Sequence, residues 1–313
     1  MTLDGQIAGI IEELDAGFPP VHTMSGAQAR AVIRSRFTAA SAPEEVGEVR
    51  DATVRGPAGE LAVRIYRPAH ASGPVPTLVY AHGGGFVFCD LDSHDGLCRS
   101  LTNLTPAVVV SVAYRLAPED PWPAAAEDVF AVAHWAARNA DALGGDAGRV
   151  VVGGDSAGGH VSAIVALMAR DRGAPALAAQ LLLYPMISPN FDTDSYRRYG
   201  QGFYNPRPAL QWYWDQYVPS LADRSHPYAA PLNADLRGLP PAVVVTAGHD
   251  PLRDEGIAFG DALERASVPT TRLNYEGGVH GFMTMPTLNL AQRARKEVCE
   301  HLAAALFAGA ARG

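Results

Sequence analysis

Apolar and polar positions divide the chain into three regimes. From Gln6 to Leu14 and from Ser25 to Phe37, apolar residues recur at mixed three- and four-residue spacings, which predicts two short amphipathic helices. From Glu48 to Arg55 and from Glu60 to Arg67 they alternate with polar residues. Gly56-Pro57-Ala58-Gly59 lies between these runs, so a β-hairpin with one wet face is predicted. The pattern then changes to short continuous apolar runs, Thr77 to Ala81, Ala107 to Ala113, Val150 to Gly153, Ala179 to Tyr184 and Ala242 to Thr246, which read as fully buried strands. Helical periodicity falls between them at Ala124 to Ala140, Ala157 to Arg170 and Gly256 to Ala266. Strands alternating with helices predict an α/β fold, a mostly parallel central sheet covered by helices on both faces.

One stretch breaks the alternation. Ser188 to Asp223 holds nine aromatic residues, among them Phe203, Tyr213 and Trp212, where a crossover helix is expected. It reads as an insertion whose rings either pack it onto the main body or face a substrate pocket. The expected organisation is an N-terminal part, residues 1–45, a core in two parts, 46–187 and 226–313, and the insertion at 188–225.

Composition narrows the possibilities. With 48% hydrophobic and 19% charged residues, a chain of 313 residues can bury a large core, which excludes a disordered or collagen-like protein. A formal net charge of −8 provides no field to attract nucleic acid, so no nucleic-acid partner is expected. Cys89, Cys98 and Cys299 form no CxxC pair and read as inert thiols. The histidines show no HxH or HExxH grouping, and no metal is expected. The acidic first twenty residues do not resemble a secretion signal, and no apolar run reaches membrane-spanning length; a cytoplasmic protein without membrane contact is the expectation.

Candidate chemistry gathers at the ends of the buried runs. Gly154-Asp155-Ser156-Ala157-Gly158 fits GxSxG, where a buried strand ends and a helix begins. That is the setting of a nucleophile elbow, a strained turn that exposes the serine beside unpaired helix N–H groups. His82-Gly83-Gly84-Gly85-Phe86 follows another strand, and consecutive glycines let backbone N–H groups turn toward one point, as an oxyanion hole requires. Neither a GKS/T nor a GxGxxG accompanies it, which disfavours a phosphate cradle. A serine hydroxyl needs a general base, and the base needs an anion to fix its tautomer. His280, on a glycine-flanked loop after the strand-like run Thr271 to Tyr275, and Asp250, after the run Ala242 to Thr246, supply them in the chain order Ser156, Asp250, His280. His249, Asp254 and Glu255 are the rivals; the two acids also suit a helix start.

Together with Tyr114-Arg115-Leu116-Ala117-Pro118-Glu119, Asp250-Pro251-Leu252-Arg253-Asp254-Glu255-Gly256 and Val279-His280-Gly281-Phe282, these motifs resemble the hormone-sensitive-lipase-like branch of the α/β-hydrolase superfamily, the bacterial family IV carboxylesterases. The resemblance covers about residues 45 to 285. It implies an α/β-hydrolase fold with Ser156 as nucleophile, His280 as base, Asp250 as its orienter, and Gly84, Gly85 and Ala157 as oxyanion donors. It also implies a helical cap built from the N-terminal helices and the insertion, and a cofactor-free serine esterase working as a monomer or homodimer on a small-molecule ester.

Phe86, Phe203 and Trp212 are the residues expected to bind substrate, in an apolar pocket suited to short or medium acyl chains. Arg115, Glu119 and Asp155 are expected to tie loops together beneath the site. An amidase or acyltransferase with the same triad, or a ligand receptor on the same fold, are the competing readings.

Overall fold

In the computed structural model of the protein, which describes residues 2–71 and 73–308, the hairpin forms from β1 (Glu48–Gly56) and β2 (Gly59–Arg67). Its register runs from Glu48 opposite Arg67 to Gly56 opposite Gly59. β1 is an edge strand and mostly exposed, whereas Leu61, Val63 and Ile65 of β2 turn inward with the expected period of two. The remaining strands are β3 (Val75–Ala81), β4 (Val108–Val112), β5 (Gly145–Asp155), β6 (Ala179–Leu183), β7 (Ala242–His249) and β8 (Thr270–Val279). Their order in the sheet is β1-β2-β4-β3-β5-β6-β7-β8. β2 meets β1 and β4 antiparallel, and every other pairing is parallel. β4, β6 and β7 are buried along their whole length, which is why they read as near-continuous apolar runs.

The helices are α1 (Gly5–Ala8), α2 (Ile11–Gly17), α3 (Gly26–Arg36), α4 (Asp95–Leu104), α5 (Ala124–Arg138), α6 (Ala140–Leu143), α7 (Ala157–Arg172), α8 (Asp194–Tyr199), α9 (Arg207–Tyr217), α10 (Arg253–Arg265) and α11 (Asn289–Ala308). Neighbouring strand residues serve opposite layers. Val79, Val110, Val152, Leu182 and Val244 pack with Val129 of α5 and Val161 of α7; Leu78, Val109, Val151, Leu181 and Val243 pack with Leu101 of α4 and Val298 of α11. The single helix expected at Gln6 to Leu14 is two: α1 ends at Gly9, whose N–H bonds back to Gly5 and Ile7. Ile7 is the one buried side chain of α1 and α2 has none, too thin an apolar stripe to sustain one helix.

α8 and α9 lie in the long connection from β6 to β7 and are tied to the rest of the molecule at both ends. Ser195 of α8 donates its N–H to Asp254 at 2.8 Å and its hydroxyl to the Pro251 carbonyl at 2.6 Å. Tyr204 donates its N–H to Asp15 of α2 at 3.0 Å, and its ring meets Phe18 edge-on at 5.5 Å. Arg30 of α3 pairs with Glu119 and reaches the carbonyls of Val87 and Ala117. The N-terminal helices and the insertion thus touch each other and the loops that leave the sheet's carboxyl edge, where ligands bind in open α/β sheets.

Candidate active site

Ser156 joins β5 to α7 with φ 54° and ψ −118°, a conformation an L-residue holds only at a cost of roughly 1–3 kcal/mol. The sequence permits it because Gly154 and Gly158 carry no Cβ: at either position one would run into the Ala81 carbonyl of β3. The turn is locked by main-chain bonds, Ser156 N–H to Leu183 at 2.8 Å, and His160 N–H to the Ser156 carbonyl at 3.0 Å.

Two loops from distant parts of the chain converge on this serine. His280, just beyond β8, places Nε2 2.9 Å from Ser156 Oγ, and its Nδ1 lies 2.7 Å from Asp250 Oδ2. An ionised carboxylate only accepts, so the proton sits on Nδ1 and Nε2 is left to accept from the hydroxyl. Asp250 follows β7 and is fully buried; its second oxygen accepts the Leu252 N–H at 2.8 Å. Tyr184 supports the imidazole edge-on at 5.2 Å, from a backbone held at φ 35°. His249 turns away, its Nδ1 donating to the Glu276 carbonyl at 2.9 Å, and Asp254 and Glu255 sit in the first turn of α10.

The glycine loop is shaped from beneath. Gly84 and Gly85 have φ 116° and 57°, which favour glycine over any side chain. Asp155 accepts the Gly83 N–H at 2.9 Å and the Tyr80 hydroxyl at 2.7 Å, and His94 Nε2 lies 3.3 Å from its other oxygen. Burial alone would push the Asp155 carboxyl up; the charge and hydrogen bond of His94, with the Tyr80 hydroxyl, outweigh it and hold Asp155 below the ordinary range. His82 stacks on Tyr114 at 4.4 Å, and burial brings it down to about 4, so at neutral pH it is uncharged and orders the loop through its Nδ1–H, 2.7 Å from the Gly83 carbonyl. The N–H groups of Gly84, Gly85 and Ala157 donate no hydrogen bond among the described residues. Arg115 grips the buried Asp128 at 2.8 Å, tying the loop after β4 to α5.

The aromatic residues divide. Phe86 is 1% exposed, stacked on Tyr217 at 3.8 Å and edge-on to His160 at 5.1 Å, so its ring is held inside the core. Phe203 stacks on His249 at 5.6 Å, beside the Asp250 loop. Trp212 is half-buried against Tyr213 at 5.8 Å. Tyr213 lies directly against the glycine loop: its ring occupies the space a Cβ on Gly85 would need. Nothing in the sequence singles it out from its aromatic neighbours. His160 is likewise unmarked: buried between Phe86, Trp214 and Tyr217, and brought down to about 3 by burial, it is neutral and fixes α7 to the Met186 carbonyl.

Comparison with known proteins identifies the family. Residues 78–284 match the family model described as alpha/beta hydrolase fold. The chain is 43% identical to carboxylic ester hydrolase LipN of Mycobacterium tuberculosis over 264 residues, 82% of this chain and 70% of that one. It is 33% identical to the ethyl acetate hydrolase of Pseudomonas putida, over 92% of this chain and 94% of that one. Among solved structures, the ester hydrolase EH1AB1 from the metagenome of Lake Arreo, bound to a bipyridine phosphonate derivative, superposes with a TM-score of 0.90 at 39% identity, covering 97% of this chain and 99% of that one. The chain belongs to the α/β-hydrolase family, in its hormone-sensitive-lipase-like branch, and is a carboxylic ester hydrolase. Among the described residues no helix is long and apolar enough to cross a membrane.

Proposed function

We propose that the protein cleaves small carboxylic esters through an acyl-enzyme on Ser156, and that it prefers short to medium acyl chains. The observation that carries this reading is the pair of contacts from Ser156 Oγ to His280 Nε2, 2.9 Å, and from His280 Nδ1 to Asp250, 2.7 Å. Ser156 Oγ attacks the ester carbonyl carbon while His280 Nε2 takes its proton, and Asp250 stabilises the imidazolium. The tetrahedral oxyanion is received by the N–H groups of Gly84, Gly85 and Ala157, with the α7 N-terminus adding its positive dipole end. His280 then protonates the leaving alcohol, and water repeats the sequence to release the acid.

Substrate selection falls to a cap made of the N-terminal helices, within residues 1–45, and the insertion, 188–225, over a core of 46–187 and 226–313. Phe203 and Trp212 line its pocket, with Phe86 shaping it from below. The choice of short chains draws support from the relative named for ethyl acetate and from the aromatic packing of the cap onto the glycine loop. Hydrolysis of p-nitrophenyl esters from acetate to palmitate tests it. The expected maximum lies below laurate, and a preference for laurate or longer would overturn the chain-length reading. A p-nitroanilide cleaved as fast as its ester would instead favour an amidase.

A further inference from the structure

On the sheet face covered by α4 and α11, a cavity of about 730 Å³ opens between residues 37–43, the first turn of α4 and the turn after His280. Arg64, Arg99 and Arg295 stand in its wall with Asp92 and Asp95. Two of these cations are matched: Arg64 lies 2.7 Å from Asp51 and 2.9 Å from Asp92, and Arg99 lies 2.6 Å from Asp95. Arg295 is different. It is 6% exposed, yet its hydrogen-bond partners are neutral: Nε and Nη2 donate to the Met283 carbonyl, at 2.8 Å from Nε, and Nη1 donates to Ser100 Oγ at 3.2 Å. Glu44 makes no ion pair with it: its charge acts on the guanidinium from beyond that hydroxyl, which donates to Glu44 Oε2 at 2.6 Å. Burial holds the guanidinium below its ordinary pKa.

A guanidinium carries five N–H groups, so these bonds leave one on each Nη. Buried cations are normally paired with an anion, and a carboxylate, with two acceptor oxygens, is the group that can take one N–H from each Nη. We propose that this cavity is a carboxylate-binding site whose anchor is Arg295. It borders the active site at two points: Thr284 lies in the turn that follows His280, and His94 contacts Asp155 beside the nucleophile. An ester hydrolase meets carboxylates from two sources, the acid it releases and an ester that bears a second carboxylate. Those sources rest on the function proposed above; the binding of a carboxylate does not.

Calorimetry on the intact protein with succinate or butyrate, against sodium chloride at equal ionic strength, tests the site without turnover. Saturable binding is expected, at least about tenfold weaker in Arg295→Met, as loss of a charge-assisted bond implies. Because Arg295 also holds the Met283 carbonyl, a second variant leaves it in place: Gly96→Trp obstructs the cavity from α4, where an added Cβ meets no atom within 4 Å, and the same loss is expected. Kinetics then separate the sources. If the carboxylate arrives on the ester, both variants raise KM for p-nitrophenyl hydrogen succinate about tenfold and spare p-nitrophenyl butyrate. If it is the released acid, butyrate inhibits the wild type and not the variants. No saturable binding to the wild type, or binding undiminished in Gly96→Trp, overturns the site. Failure of the esterase reading would show separately, as no turnover of the neutral ester by any of the proteins.

Discussion

The ring of Tyr213 fills the space that a side chain on Gly85 would need: an ideal Cβ at residue 85 meets Tyr213 Cδ1 at 2.5 Å. The glycine loop is therefore moulded against α9 of the insertion as well as against the core, and a change in one is felt by the other.

Gly85→Ala is expected to displace the loop and lower kcat by about 10² to 10³, the range for a lost oxyanion donor. Combining it with Tyr213→Ala, which vacates the contact, should recover part of that loss. Steady-state kinetics with p-nitrophenyl acetate decide the matter; additive losses would mean that the contact does not transmit to the oxyanion donors.

Ser156→Ala and His280→Ala should each cost about 10⁴-fold or more in kcat, and the double variant no more than the worse single one, because the pair works as a unit. Multiplied losses would separate their roles.

Much of this site was legible in the chain. GxSxG, the triple glycine and Asp250 each stand where a buried run stops, so the apolar pattern that located β3, β5 and β7 also located the chemistry at their ends, whereas His280 follows β8, a half-exposed strand, and was found from its glycine-flanked loop and its place in the chain order. The contacts that hold these parts are long-range and left no local trace: Tyr213 against Gly85, Tyr184 under His280, and Arg295 on the Met283 carbonyl join elements far apart in sequence. Outside the insertion, three helices, α4, α6 and α11, lay outside the predicted set. α11 buries Leu290, Ala294, Val298 and Leu302 at four-residue spacing, a pattern present in the sequence but diluted by its run of alanines and charges. The β8 signal stopped at Tyr275, whereas the strand runs to Val279, because Gly277 and Gly278 read as a loop.

Stability should fall on mild acidification through buried neutral histidines. Burial holds His82 at about 4 and His160 at about 3, whereas in the unfolded chain each titrates near ~6.5. Between those values the unfolded state binds more protons, so their contribution is complete above about 6.5 and is lost as pH drops toward 4. Urea midpoints at pH 7 and 4.5 should therefore differ, and His160→Leu should shrink the difference. An unchanged difference would mean that His160 is protonated in the folded state.

Asp155 acts with the opposite ionisation and the same direction in pH. Its depressed carboxyl lends stability at neutral pH that disappears as pH falls through its lowered pKa. Asp155→Asn, which breaks a buried hydrogen-bonded network under Gly83, is expected to cost about 3 kcal/mol and to lower kcat through the glycine loop. Denaturation and kinetics on the same preparation check both; a fully stable variant with reduced kcat would assign Asp155 to catalysis alone.

Treatment with a fluorophosphonate, followed by peptide mass spectrometry, probes the nucleophile without reference to any natural substrate. One adduct is expected, on Ser156, forming in step with loss of p-nitrophenyl ester hydrolysis and absent from His280→Ala. An adduct on another serine, or full hydrolysis with Ser156 labelled, would contradict the assignment.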